Sequence, residues 1–134
     1  MLYHTDTHGP SESGFKAGIM KAAAEAQANG TNEVLLLAHT LDNLKGVVAA
    51  VLGDDFVAAL AKHKQVVVGP VTIHLETERI RSAFVKGVIF APFVSSKLLE
   101  TAIKDHRGTD IVYVPWAESE LLTFVEAHPE STVL

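Results

Sequence analysis

Cysteine is absent from this chain, which excludes disulfides, thiolate zinc sites and cysteine nucleophiles together. That composition suits a reducing compartment. Apolar runs are short: Gly, Asp or Lys breaks each one well before the ~20 residues that a membrane helix requires. The opening stretch, Met1 to His8, has neither a basic cluster nor an apolar core, so a secretory signal is not expected there. Together these absences predict a cytoplasmic, soluble protein without a membrane partner. Positive charge is also scarce. Eleven Lys and Arg face sixteen Asp and Glu, for a net charge of −5, and the cations are scattered. A duplex-binding surface needs a basic stripe, so nucleic acid is not expected as a partner. The segment from Glu76 to Lys97 is the richest in base, with Arg79, Arg81, Lys86 and Lys97, and is where a polyanion would bind.

What remains is an ordinary globular composition, 48% hydrophobic and 20% charged over 134 residues. One domain spanning 1–134 with a real core fits that length. One phrase recurs three times: a short all-apolar run, a small polar turn, then an amphipathic stretch. The runs are 34–38, 88–91 and 111–114, and the turns are His39-Thr40, Pro92 to Lys97 and Pro115-Trp116. Buried strands feeding directly into helices build parallel α/β domains. Helical periodicity precedes the first run, through Phe15, Ile19, Ala22, Ala23 and Ala26, and stops at Asn29-Gly30. Between the first and second phrases, Leu44, Val47, Val48, Val51 and Leu52 form a helical stripe, and Gly53-Asp54-Asp55 marks a break and a new helix start.

Val66-Val67-Val68 reads as a buried run ended by Gly69-Pro70. Beyond it, Val71, Ile73 and Leu75 alternate with Thr72, His74 and Glu76. A proline beside a period-two pattern predicts an edge or antiparallel strand at 71–76, open to pairing in a homodimer. Residues 77–86 form a loop or short helix, and 131–134 are long enough for a short terminal strand. The expected architecture is a three-layer α/β domain, Rossmann-like in the broad sense, with about five strands in a mainly parallel sheet.

In such sheets ligands sit beyond the carboxyl ends of the strands, where the polar turns fall. Ser95, Ser96 and Lys97 open a helix that carries no acid in its first turn, whereas Asp42, Glu118 and Glu120 occupy the other two starts. An anionic small molecule, such as a nucleotide, would choose the acid-free one. N-capping by a serine also accounts for these residue types. His39 and Thr40 follow a central strand, and Trp116 stands where Phe93 stands one unit earlier. His39, Thr40 and Trp116 are rim candidates, with the aromatic rings suited to a planar ligand. His74 shares a strand face with Glu76. His63, His106 and His128 fall near helix ends, where the dipole favours them.

His4, Asp6 and His8 alternate, so in an extended chain they would share one face and could ligate zinc, manganese or iron. A metal-assisted hydrolase is the alternative function they suggest. Asp6-Thr7-His8-Gly9 resembles the first metal-binding motif of calcineurin-like metallophosphoesterases. The family's further motifs have no counterpart: Gly53-Asp54-Asp55 lacks the second spaced acid, and Gly-Asn-His does not occur. Nothing is therefore carried over from that family, the metal expectation rests on the alternation alone, and no cofactor can be named from the sequence.

Overall fold

A computed structural model describes residues Met1–Leu134. The strands are β1 (Leu2–His4), β2 (Glu33–Leu37), β3 (Gln65–Val68), β4 (Val71–Glu76), β5 (Gly87–Pro92), β6 (Gly108–Val114) and β7 (Thr132–Val133). Five α-helices lie among them: α1 (Glu12–Ala28), α2 (Val47–Leu52), α3 (Asp54–His63), α4 (Ser96–Lys104) and α5 (Glu118–Ala127). A 3-10 turn at Leu41–Leu44 precedes α2. All seven strands join one sheet in the order β3-β4-β2-β5-β6-β1-β7, parallel throughout except for the β3–β4 pair. The fold is a three-layer, Rossmann-like α/β domain, with seven strands rather than about five.

The two sheet faces carry separate cores. On one, Phe15, Ile19, Ala22, Val48 and Leu60 from α1, α2 and α3 cover the residues of one parity, among them Val34, Leu36, Ile73 and Phe90. On the other, Leu99, Ala102 and Phe124 from α4 and α5 cover Leu35, Ile89, Ile111 and Tyr113. Burial on both faces explains why β2, β5 and β6 read as continuous apolar runs. Helix α1 lies close against the sheet at Gly18, where a Cβ would stand 2.6 Å from Phe90 and 2.9 Å from Val114. At Gly87 the backbones themselves meet: a Cβ there would fall onto the carbonyl oxygen of Glu33.

The strand at 71–76 is antiparallel to a neighbour, as its sequence pattern suggests, but it is not an edge. β4 pairs with β3 on one side and with β2 on the other, so a homodimer cannot form through its occupied margins. The free margin belongs to β3, whose valines look buried in the sequence yet are largely exposed. Gly69-Pro70 is the hairpin turn that places β3 outermost. The alternation in β4 has a different origin. Val71, Ile73 and Leu75 enter the helical core, while His74 and Glu76 face a side that no helix covers, beneath residues 77–86. Those residues form a loop without helix. No helix is long and apolar enough to cross a membrane.

Candidate functional site

The strand order determines where a site can form. From β2 the chain leaves toward β3, across the α2–α3 face. From β5 it leaves the opposite way, toward β6, across the α4 face. One hand of crossover requires opposite directions to use opposite faces. Adjacent strands whose connections diverge leave a crevice beyond their carboxyl ends, the switch point at which open α/β sheets bind ligands. Here those strands are β2 and β5. His39 follows the first and Ser95 the second.

The two residues bond to each other. Ser95 N–H donates to His39 Nε2 at 2.9 Å. Since Nε2 accepts a hydrogen bond, Nδ1 carries the ring hydrogen, and it donates to Glu78 Oε1 at 2.7 Å. One carboxylate and one backbone amide thus fix both the tautomer and the ring direction. The Ser95 hydroxyl is turned elsewhere: it accepts from Leu98 N–H at 3.2 Å and caps α4. No serine–histidine nucleophile pair is formed, because His39 meets the amide and not the hydroxyl.

A cleft of about 400 Å³ opens on the α2 side of His39. Phe93, Trp116 and Pro10 form one wall, and Asn43, Gly46 and Val47 the other. The Phe93 and Trp116 rings meet edge to face, with centroids 5.3 Å apart, so neighbouring strands do bring their terminal aromatics to one rim. Phe93 sits at φ +60°, a left-handed conformation unfavourable to an aromatic residue. A second groove, of about 280 Å³, opens on the α4 side, where Ser95, Lys97 and Thr101 face Glu78 and Arg81. The His39–Ser95–Glu78 set stands between the two openings.

The floor of the second groove is a buried ion pair. Glu76 is fully buried and receives Arg107 through both of its oxygens at 2.9 Å. Ser82 adds its hydroxyl at 2.9 Å and its amide at 3.2 Å. Arg107 is held in turn by Asp105 at 2.8 Å and by the Phe84 carbonyl. Burial raises the Glu76 pKa, but the hydrogen bonds from Arg107 and Ser82 outweigh it and hold the carboxyl below its ordinary range. The pair is saturated and acts as a clamp on loop 77–86.

No family model, curated protein or solved structure matches this chain.

Of the rim candidates, the structure joins His39 to Ser95 directly and sets His39 and Trp116 around one cleft. Ser95 and Lys97 line the other. Thr40 is occupied locally: its amide and hydroxyl both donate to the Asn43 side chain. Ser96 is exposed at the first turn of α4. Glu78, which orients His39, gives no signal in the sequence, where it sits in an irregular segment.

The N-terminal candidates do not converge. β1 ends at His4 and the chain bends at Asp6, so the alternation that would align His4, Asp6 and His8 stops there. No group of three His, Asp or Glu side chains comes together as a metal set. His4 is buried against Phe124 (5.3 Å) and donates from Nδ1 to Ser131 Oγ, whose own proton goes to the Leu2 carbonyl.

His128 also meets the Phe124 ring, 4.9 Å away, and reaches Glu100 at 2.9 Å and Glu130 at 3.2 Å. Burial lowers the His4 pKa below 6.5. Burial acts the same way on His128, but its two carboxylate partners outweigh it and raise the value. The two should oppose each other in stability. His128 contributes below pH 6.5, and its contribution is lost as pH rises through its folded pKa. His4 withdraws stability as pH falls below 6.5, because only the unfolded chain then takes up its proton. A histidine NMR titration should place His4 below and His128 above 6.5; the reverse order would contradict both assignments.

Proposed function

We propose that this protein is a small-molecule-binding α/β domain whose ligand is a planar, anion-bearing metabolite of nucleotide type. The observation that carries the reading is the coincidence of the β2/β5 switch point with a cleft that has an aromatic wall. The ring of the ligand lies against Phe93 and Trp116. Its charged group reaches across the His39–Ser95 bond toward Lys97, which lines the second groove at the α4 start that has no acid in its first turn. The left-handed backbone at Phe93 supports the same place, since strain concentrates where a binding surface needs a side chain held. His39 holds the α4 start in place and lines the cleft with its ring, both of its nitrogens being engaged by Ser95 and Glu78.

Trp116 is the only tryptophan and is 48% exposed, so its fluorescence reports the cleft alone. A panel of mononucleotides and aromatic carboxylates should contain a ligand that quenches this emission. At a hundredfold excess over its dissociation constant, that ligand should raise the melting temperature by about 10 °C. His39→Ala should abolish both responses, and Lys97→Ala should weaken binding for phosphorylated members most. A panel that moves neither the emission nor the melting temperature at millimolar concentration would reject the reading.

A further inference from the structure

The two margins of the sheet are built differently. β7 is a two-residue strand, too short to template much pairing. β3 offers four residues, Gln65-Val66-Val67-Val68, with no charge, proline or bulge inside the strand, although margins of monomeric proteins normally carry such guards. Val67 is 66% and Val68 47% exposed. The pairing with β4 also settles which backbone groups remain open. Leu75 N–H donates to the Lys64 carbonyl at 2.9 Å, so Lys64, Val66 and Val68 are the positions that turn toward β4, opposite Leu75, Ile73 and Val71. Antiparallel ladders alternate. Gln65 and Val67 therefore direct both their N–H and their C=O groups outward.

We propose that β3 pairs antiparallel with β3 of a second copy, about a two-fold axis through Val66, to form a continuous sheet across a homodimer. This is the register in which the two outward-facing residues meet each other, Gln65 of one copy opposite Val67 of the next. Val66 then faces its own symmetry mate in a non-hydrogen-bonded pair. Charge supports the same axis. Helix α3 runs into β3 through Lys64 alone, in a left-handed conformation, so it folds back along the strand. A two-fold axis sets the two α3 helices antiparallel. Asp54 and Asp55, exposed at the start of one, then lie beside Lys62 and His63, exposed at the end of the other. An isologous interface needs this self-complementarity.

The absence of cysteine makes the register directly testable. Light scattering on the intact protein should give twice 14.4 kDa. Val66→Cys should cross-link between copies under mild oxidation, because directly opposed residues in a non-hydrogen-bonded pair lie within disulfide reach. Val68→Cys, opposite Lys64 of the other copy, should not. Val67→Pro removes an outward N–H while sparing the β4 ladder, and should weaken association by about tenfold or more with the circular dichroism unchanged. A monomer at every concentration overturns the proposal, as does equal cross-linking of the two cysteine variants or a Val67→Pro dimer of undiminished affinity. If Val67→Pro fails to fold, the cysteine pair alone decides.

Discussion

Replacing Arg107 with methionine should destabilise the fold by about 3–5 kcal/mol, the range for a buried ion pair that loses one partner. The loss comes from what is left behind. Glu76 is buried, and with Arg107 gone only Ser82 and the solvent-exposed Arg81, 3.4 Å away, would face its carboxylate. For a chain of this size the melting temperature should fall by roughly 10–15 °C.

The pH dependence should change sign. In the native protein Glu76 has a folded pKa below its unfolded value, so its contribution is present above about pH 4.5 and is lost as pH falls through the folded pKa. Without Arg107, burial dominates and the folded pKa rises above the unfolded one. The variant should then gain stability on acidification. Glu76→Gln combined with Arg107→Met should recover much of the loss, because no buried charge remains. Denaturant unfolding of the three proteins at two pH values measures all of this. Equal stability of the single and double variants would show that Arg107 acts through its packing on Phe84, 5.3 Å from the ring.

Gly87→Ala is the second large expected effect, at about 3 kcal/mol, the upper part of the range for overpacking. The obstruction is main chain, which cannot rotate away. The carbonyl oxygen of Glu33 occupies the space a methyl group would take, with the carbonyl carbon 2.9 Å away. Relief requires β5 to separate from β2 at the end opposite the cleft, beside the register shift between Gly87 and Val88. Gly30→Ala makes a useful contrast: Gly30 has open space around it, and its penalty comes only from a backbone at φ +80°. Melting curves for the two variants should differ, with Gly87→Ala the less stable. A Gly87→Ala protein as stable as the parent would mean that the β2–β5 contact is looser than described.

The strand–turn–helix phrases were legible because β2, β5 and β6 are covered on both faces, so their burial is written as uninterrupted hydrophobicity. The same cue misleads at Val66–Val68. Those residues are as apolar as a central strand, and hydrophobicity alone does not distinguish a covered strand from a marginal one. β4 fails in the opposite sense. Its polar residues suggest exposure, but Glu76 is buried by an arginine 31 positions later in the chain, and a single sequence does not reveal that pairing. Arg107 itself reads as a helix terminator. At the crevice, the placement of His39, Ser95, Lys97 and Trp116 was legible because each follows the carboxyl end of a strand. The partition of the crevice was hidden, since it depends on β2 lying beside β5, which requires strand order. The N-terminal metal set misled because alternation was extended past His4, where the strand stops.

The position of β1 has a consequence for how the chain folds. Its neighbours are β6 and β7, with Leu2 beside Ile111 and Tyr3 beside Thr132. β1 therefore finds no pairing partner until β6 has been synthesised. Helix α1 meanwhile must span a place that β5 and β6 later fill. Contacts this distant in sequence slow folding, because the loops must close before the pairing repays them. β1 is thus secured only once β6 has formed, and β7, whose one neighbour is β1, can join the sheet only after it.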